Sequence, residues 1–196
     1  MDEAGRGPWA GPVVAAAVIL PARRLRVRID DSKRLTPRQR LQAFRVILKH
    51  AEVGFGIVCA AEIDRRNILQ ASLLAMCDAV GDLPAPPDLV LADGPYAPPL
   101  TIPCRPVIHG DQRHRAIAAA SIMAKVLRDH LMTCYHRVLP DYGFHRHKGY
   151  GTPLHARQLQ RFGPSPLHRM SFAPVAASHA PVDELVEPRG YVHVTI

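Results

Sequence analysis

Four acidic residues stand where carboxylates can act together. Asp2 and Glu3 are adjacent and lie just before a glycine-rich turn, Gly5-Arg6-Gly7. Asp93 ends the apolar run Asp88-Leu89-Val90-Leu91-Ala92, and Asp111 follows Gly110 ahead of a long helical pattern. Hydrolysis of a phosphodiester needs an in-line water, neutralisation of charge on the phosphate and help for the leaving oxygen; two divalent cations about 3.5–4 Å apart can supply all three. Mg2+ and Mn2+ take oxygen ligands. Crowded carboxylates repel one another unless a cation lies between them, so a shared metal site gives such a cluster a physical reason to exist. One Asp at a strand end or before a helix is usually a cap or turn former, so the reading depends on the four together.

The 196 residues suit one domain. At 47% hydrophobic and 21% charged, the chain can bury a core and is not of disordered composition. Lys and Arg number 25 against 17 acids, which points to a polyanionic partner, nucleic acid first. The excess is local: residues 21–50 hold ten Lys/Arg and only Asp30 and Asp31 as acids. A solvated basic face is the other reading of that stretch. Four widely spaced cysteines without a CxxC pair suit a reducing, cytoplasmic setting. The longest apolar run, residues 13–20, is well short of the roughly 20 residues of a membrane span, and no basic leader precedes it. No membrane association is expected.

The elements that must position the acids follow from pattern. Residues 13–20 form an apolar run between Pro12 and Pro21, which predicts a buried central strand. Thr36, Pro37 and Gln39 make an N-cap, a first-turn proline and a capping box, so a helix runs over 37–50. Residues 53–60 read as a strand leading into one largely apolar helix that reaches about Val80. Residues 88–92 are a buried strand, 102–109 a poor strand broken by Pro103 and Pro106, and 115–132 a long amphipathic helix. Thr152-Pro153 caps another short helix, and beyond Pro174 there is no firm pattern. Strands alternating with helices argue for an α/β layered fold with its site at strand ends and adjoining loops.

The words around the acids carry a resemblance. Asp2-Glu3-Ala4-Gly5-Arg6-Gly7-Pro8 with Ala10-Gly11-Pro12-Val13-Val14; Asp31-Ser32-Lys33; Asp93-Gly94; Gly110-Asp111 with Ala120-Ser121-Ile122-Met123-Ala124-Lys125-Val126 and Arg128-Asp129; Tyr142-Gly143-Phe144 with His147-Lys148-Gly149-Tyr150-Gly151-Thr152; and His168-Arg169 with Ser171-Phe172 occur in order over residues 2–175. Together they closely resemble bacterial-type ribonuclease HII. The resemblance implies an RNase H-like fold, a mixed central β-sheet flanked by helices, with a small C-terminal helical, substrate-binding part at about 135–175. Residues 176–196 would be a tail. It also implies a Mg2+- or Mn2+-dependent endonuclease acting on RNA/DNA hybrids and on DNA duplexes containing ribonucleotides; a monomer is expected. Such an enzyme cuts 5′ to a ribonucleotide and leaves 3′-hydroxyl and 5′-phosphate ends.

Carried over by position, Asp2, Glu3, Asp93 and Asp111 resemble the family's metal-centre acids. Asp129 resembles a fifth acid at or supporting the site, and an Asp beside basic residues also reads as a surface ion pair. Gly5-Arg6-Gly7 looks like the loop whose backbone approaches the ribonucleotide's 2′-hydroxyl, the group that tells RNA from DNA. Tyr150 resembles the tyrosine that packs on the following deoxynucleotide sugar. Ser32, Lys33, Arg6 and Lys148 are expected on the substrate side, the basic ones at phosphates, which position without reading sequence.

Other readings are weaker. Gly5-x-Gly7-x-x-x-Gly11 has the wrong spacing for a dinucleotide loop and precedes its strand. Eight of eleven histidines fall between 109 and 168 without the spacing of a metal motif, and surface or phosphate-side roles are expected for them. A different two-metal nuclease would not need the glycine loop or Tyr150. A non-cleaving hybrid binder would gain nothing from clustered acids facing a polyanion. Only Met1 precedes Asp2, whereas ribonuclease HII chains carry a strand's worth of apolar residues there. The sequence therefore predicts a frayed first strand, from a missing segment or an inherently weakened one, with the α-amino cation near the acids, where it would perturb metal binding.

Overall fold

A computed structural model describes residues 1–178; the expected tail lies outside them apart from its first three residues. The apolar run becomes β2 (Val13–Ile19), flanked antiparallel by β1 (Asp2–Ala4) and β3 (Glu52–Val58). Side chains alternate along a strand, and β2 is apolar on both sides because both are covered. Val13, Ala15 and Ala17 pack with Ala71, Ala75 and Ala79 of one helix, Ile68–Gly81. Ala16 and Val18 meet Ala43 and Ile47 of α1 (Pro37–His50) and Ala120 and Ile122 of the long helix Arg115–Val138. The glycines that alternate in β3 have the same origin. A Cβ at Gly54 or Gly56 would collide with the carbonyls of Ala79 or Ala75, so the helix can lie directly on that strand.

Two further strands, β4 (Val90–Asp93) and β5 (Cys104–Val107), pair in parallel. Met1 joins them to the rest. Its amino group donates to Leu91 O at 2.7 Å, and the Asp93 N–H donates to Met1 O at 3.1 Å. That is the parallel ladder pattern with Met1 opposite Ala92, so the three-stranded sheet β3-β2-β1 and the two-stranded sheet β4-β5 meet at Met1, in the order β3-β2-β1-β4-β5. Met1 is 4% and Asp2 6% exposed. β1 is therefore not the frayed half-strand expected from the sequence, because it pairs along its length with β2 and the residue before it is buried and bonded to β4.

The helices differ from expectation in three places. The single helix expected up to Val80 is two, α2 (Ala60–Arg66) and α3 (Ile68–Gly81), separated at Asn67, whose φ is 78° and whose side chain caps α3 at Gln70 N–H. A side chain that offers the backbone an alternative acceptor interrupts an otherwise helical period. A short α4 (Gly110–Arg113) precedes α5 (Arg115–Val138), which runs six residues past the expected end at 132. After a 3-10 turn at Pro140–Tyr142 come α6 (Phe144–His147), α7 (Pro153–Phe162), capped by Thr152, and α8 (Ala173–Ala177), where no pattern was legible. β5 forms despite Pro106 because it is an edge strand. Among the described residues no helix is long and apolar enough to cross a membrane, and all four cysteines are free.

Candidate active site

The register of the mixed sheet sets the first two acids side by side. Met1 and Ala92 face the core beneath α3, so Asp2 and Asp93, one step along each strand, face the other side, toward α5. There Ser121 of α5 lines the same cleft as Asp2 and lies 2.9 Å, Oγ to Oγ, from Ser32, and Asp2 Oδ1 accepts the Glu3 N–H at 2.7 Å. Asp93 Oδ1 accepts the Gly110 N–H at 2.7 Å. A side chain at 110 would press on Asp93 and Ile117, so glycine lets the β5–α4 turn close onto the strand end and brings Asp111 with it. Residues 32–35 are held from α1 by Arg40, which donates to the carbonyls of Ser32 and Leu35 at 2.8 and 2.5 Å.

The result is a cleft of about 280 Å³ lined by all four acids, Asp2, Glu3, Asp93 and Asp111, and by Gly5, Ser32, Lys33 and Tyr150. Ser121, Arg40 and Lys125 complete its wall. Burial, then the neighbouring carboxylates of Glu3 and Asp93, push Asp2 up to about 8. Burial also raises Glu3, against the nearby Arg6, and raises Asp111, with Asp31 and Asp93 adding to the effect and Lys33 opposing it. Glu3 Oε2 is buried without a hydrogen-bond partner among the described residues. Among the described residues, no three His, Cys, Asp or Glu side chains stand close enough together to form a ready-made metal site. The donor chemistry nevertheless fits a hard divalent cation: every candidate ligand atom is a carboxylate oxygen, one is orphaned, and burial raises three of the four carboxyls, a cost a cation would offset.

Some expected residues lie elsewhere. Arg6 is directed outward and reaches Glu3 at 3.4 Å, with 45% of its side chain exposed. Lys148 Nζ donates to Thr133 Oγ1 at 2.8 Å, and the structure does not bring it into the cleft. Asp129 pairs with Lys125 at 2.9 Å on the next turn of α5, so it touches the cleft wall through that lysine. Gly7 comes close to the Tyr150 ring, a Cβ there lying 3.9 Å from Cε1. His147, His155 and His168 are interior groups, contrary to the surface role expected, because each finds backbone or imidazole partners inside the C-terminal part.

The sequence reading did not single out Ser121, Arg40, Lys125, Arg128 or Arg169 as functional. Ser121, Lys125, Arg128 and Arg169 sit within its resemblance blocks, but nothing in their spacing showed what they touch. Arg128 and Arg169 are fully buried and, among the described residues, donate only to carbonyls, those of Ala10, Pro12 and Lys148 for the first and of Gly5, Arg6 and Gly11 for the second.

Acids at the ends of adjoining strands, with a glycine-rich loop beside them, make up this cleft. The profile of the family described as Ribonuclease HII matches residues 1–175. A Ribonuclease HII from Chlamydia pneumoniae is 51% identical over 177 residues, 89% of this chain and 82% of that protein. One from Syntrophobacter fumaroxidans is 52% identical, covering 91% and 77%. The chain belongs to the ribonuclease HII family. Its fold is similar to the crystal structure of ribonuclease H2 from Pyrococcus horikoshii OT3, with a TM-score of 0.76, 24% identity, and 90% and 94% of the two chains covered. It is also similar to Bst-RNase HIII in complex with Mn2+, with a TM-score of 0.72 at 18% identity, covering 90% and 67%.

Proposed function

We propose that this cleft hydrolyses the RNA strand of RNA/DNA hybrids and nicks duplex DNA 5′ to embedded ribonucleotides, leaving 3′-hydroxyl and 5′-phosphate ends. The carrying observation is the gathering of Asp2, Glu3, Asp93 and Asp111 in one cleft beside Gly5 and Tyr150. Those four acids hold the divalent cations, Mg2+ or Mn2+, and an Mn2+ complex of a protein of similar fold supports that choice. Bound cations supply Lewis acidity at the phosphate and a more acidic water.

The chain does the rest by placement. The Glu3 N–H on Asp2 Oδ1 and the Gly110 N–H on Asp93 Oδ1 orient the two carboxylates in the cleft wall. Lys33, on the loop that Arg40 fixes, supplies positive charge for a phosphate, a contact that positions without reading sequence. The Gly5–Gly7 backbone approaches the 2′-hydroxyl, and the half-exposed Tyr150 ring packs on the following deoxysugar. A binder without cleavage is disfavoured, since buried carboxylates repel a phosphate unless a cation intervenes. The four free cysteines suit a reducing, cytoplasmic compartment, where the protein acts as a monomer on duplexes and not at a membrane.

Two labelled duplexes differing by one 2′-hydroxyl test this. With Mg2+ or Mn2+, only the ribonucleotide-containing strand should be nicked, on the 5′ side of that residue. A cut elsewhere, a cut in both duplexes, or none with either cation refutes the reading.

A further inference from the structure

The sugar-reading loop is held from behind by a charge that, among the described residues, forms no ion pair with a carboxylate. Arg169 lies in the segment that bridges the loop: His168 pairs with Ala10, the Arg169 N–H donates to Trp9 O at 2.8 Å, and the Gly11 N–H donates to Leu167 O at 2.8 Å. Its guanidinium Nη1 donates to Arg6 O at 2.9 Å, Nη2 to Gly5 O at 2.6 Å and Gly11 O at 2.9 Å, and Nε to Gly11 O at 3.0 Å. Among the described residues it makes no ion pair with a carboxylate, although it is 0% exposed. Burying a guanidinium on carbonyls alone is costly. Burial and the neighbouring Arg128 push it down only to about 9, so at neutral pH the charge is kept.

The carbonyls it chooses matter. In a trans peptide the C=O and the following N–H point in opposite directions. The carbonyl of Gly5 shares its peptide unit with the Arg6 N–H, and that of Arg6 with the Gly7 N–H. With both oxygens drawn onto the buried guanidinium, both N–H groups turn away from it, outward along the loop that faces Tyr150. A cation on the carbonyl also polarises the peptide and strengthens its N–H as a donor. No neutral side chain does both.

We propose that Arg169 is a positioning residue for ribose recognition: by clamping the Gly5 and Arg6 carbonyls it aims and strengthens the Arg6 and Gly7 N–H donors at the ribonucleotide's 2′-hydroxyl. This rests on the functional reading above, in which that loop meets the sugar. The adjacent residue extends the device. His168 holds His155, and His155 holds the Tyr150 carbonyl, so one dipeptide ties the 2′-hydroxyl loop to the tyrosine turn.

The test compares Arg169→Lys and Arg169→Gln with the unaltered chain on the two duplexes differing by one 2′-hydroxyl, with Ca2+ in place of Mg2+ to measure binding without cutting. Each variant is expected to lose about tenfold of its preference for the ribonucleotide duplex, the scale of one to two hydrogen bonds, while affinity for the all-DNA duplex stays within about twofold. Preference unchanged, or both affinities falling together with the melting temperature, overturns the proposal and leaves Arg169 a fold residue. Should both variants fail to fold, the Arg6 and Gly7 amide resonances of the 15N-labelled chain decide it. They should move downfield with the ribonucleotide duplex and not with the all-DNA one, and equal responses overturn the proposal. If the unaltered chain itself does not distinguish the two duplexes, the functional reading fails first.

Discussion

His155 Nε2 lies 3.0 Å from His168 Nε2, and only one arrangement of protons makes that contact a hydrogen bond. The Ser165 N–H donates to His168 Nδ1 at 2.9 Å, which places the His168 proton on Nε2. His155 accepts it and, with its own proton on Nδ1, donates to Tyr150 O at 2.9 Å. Both rings are neutral. Burial, above all, holds each down at about 4.

That pair makes acid stability measurable. The unfolded histidines bind protons below about pH 6.5, the folded ones only near 4, so their contribution is full above 6.5 and is lost as pH falls through that window. His147, stacked at 4.3 Å on His155, is lowered as well and adds in the same sense. Thermal melts at pH 7 and 4.5 should show the unaltered chain losing on the order of 2 kcal/mol more than His155→Gln. Equal losses would mean that the pair does not titrate.

The acids oppose this trend when no cation is bound. Asp2 is raised to about 8, so in the metal-free protein its contribution is unfavourable above its unfolded value and worsens as pH rises toward 8. A cation must displace that proton at pH 6 and needs to displace much less at pH 8. Mn2+ should therefore raise the melting temperature more at pH 8 than at pH 6, and Asp2→Asn should erase both increments. An equal increment at the two pH values would show that Asp2 is not a ligand.

Gly5 has φ 99°, and a Cβ there would meet the Arg128 side chain and Pro12 O. Gly5→Ala is expected to cost about 2–3 kcal/mol by denaturant titration, from left-handed strain plus the displaced arginine, and to cut nicking at least about tenfold. Near-normal activity would mean that the loop tolerates another conformation.

Asp129 separates ligand from helper. Paired with Lys125 and with 26% of its side chain exposed, it should tolerate Asp129→Asn with an Mn2+ affinity changed less than about threefold, because a partly solvated pair is worth little. Calorimetric loss of most Mn2+ binding would place it among the ligands.

The sequence reading found what repeats along the chain and missed what closes over distance. β2 and α1 were legible because an unbroken apolar run and a complete capping box are local signals. The division at Asn67 was not, since one cap in an apolar period carries less weight than the period. The words around the four acids marked them as candidates, and the structure gathers them in one cleft. Arg128 and Arg169 were not marked, because a carbonyl acceptor leaves no residue type to read, and Arg169 meets Gly5 across 164 positions. The burial of β1 was hidden for the same reason: Met1 pairs with a strand 90 residues away.

The central claim is that these carboxylates hold the cation that cuts. Asp93→Asn tests it most directly, since the amide keeps an oxygen for the Gly110 N–H and the fold should survive. On the single-ribonucleotide duplex with Mg2+ or Mn2+, this variant is expected to bind within about threefold of the unaltered chain and to nick at least about a thousandfold more slowly. Nicking at the unaltered rate would contradict the account.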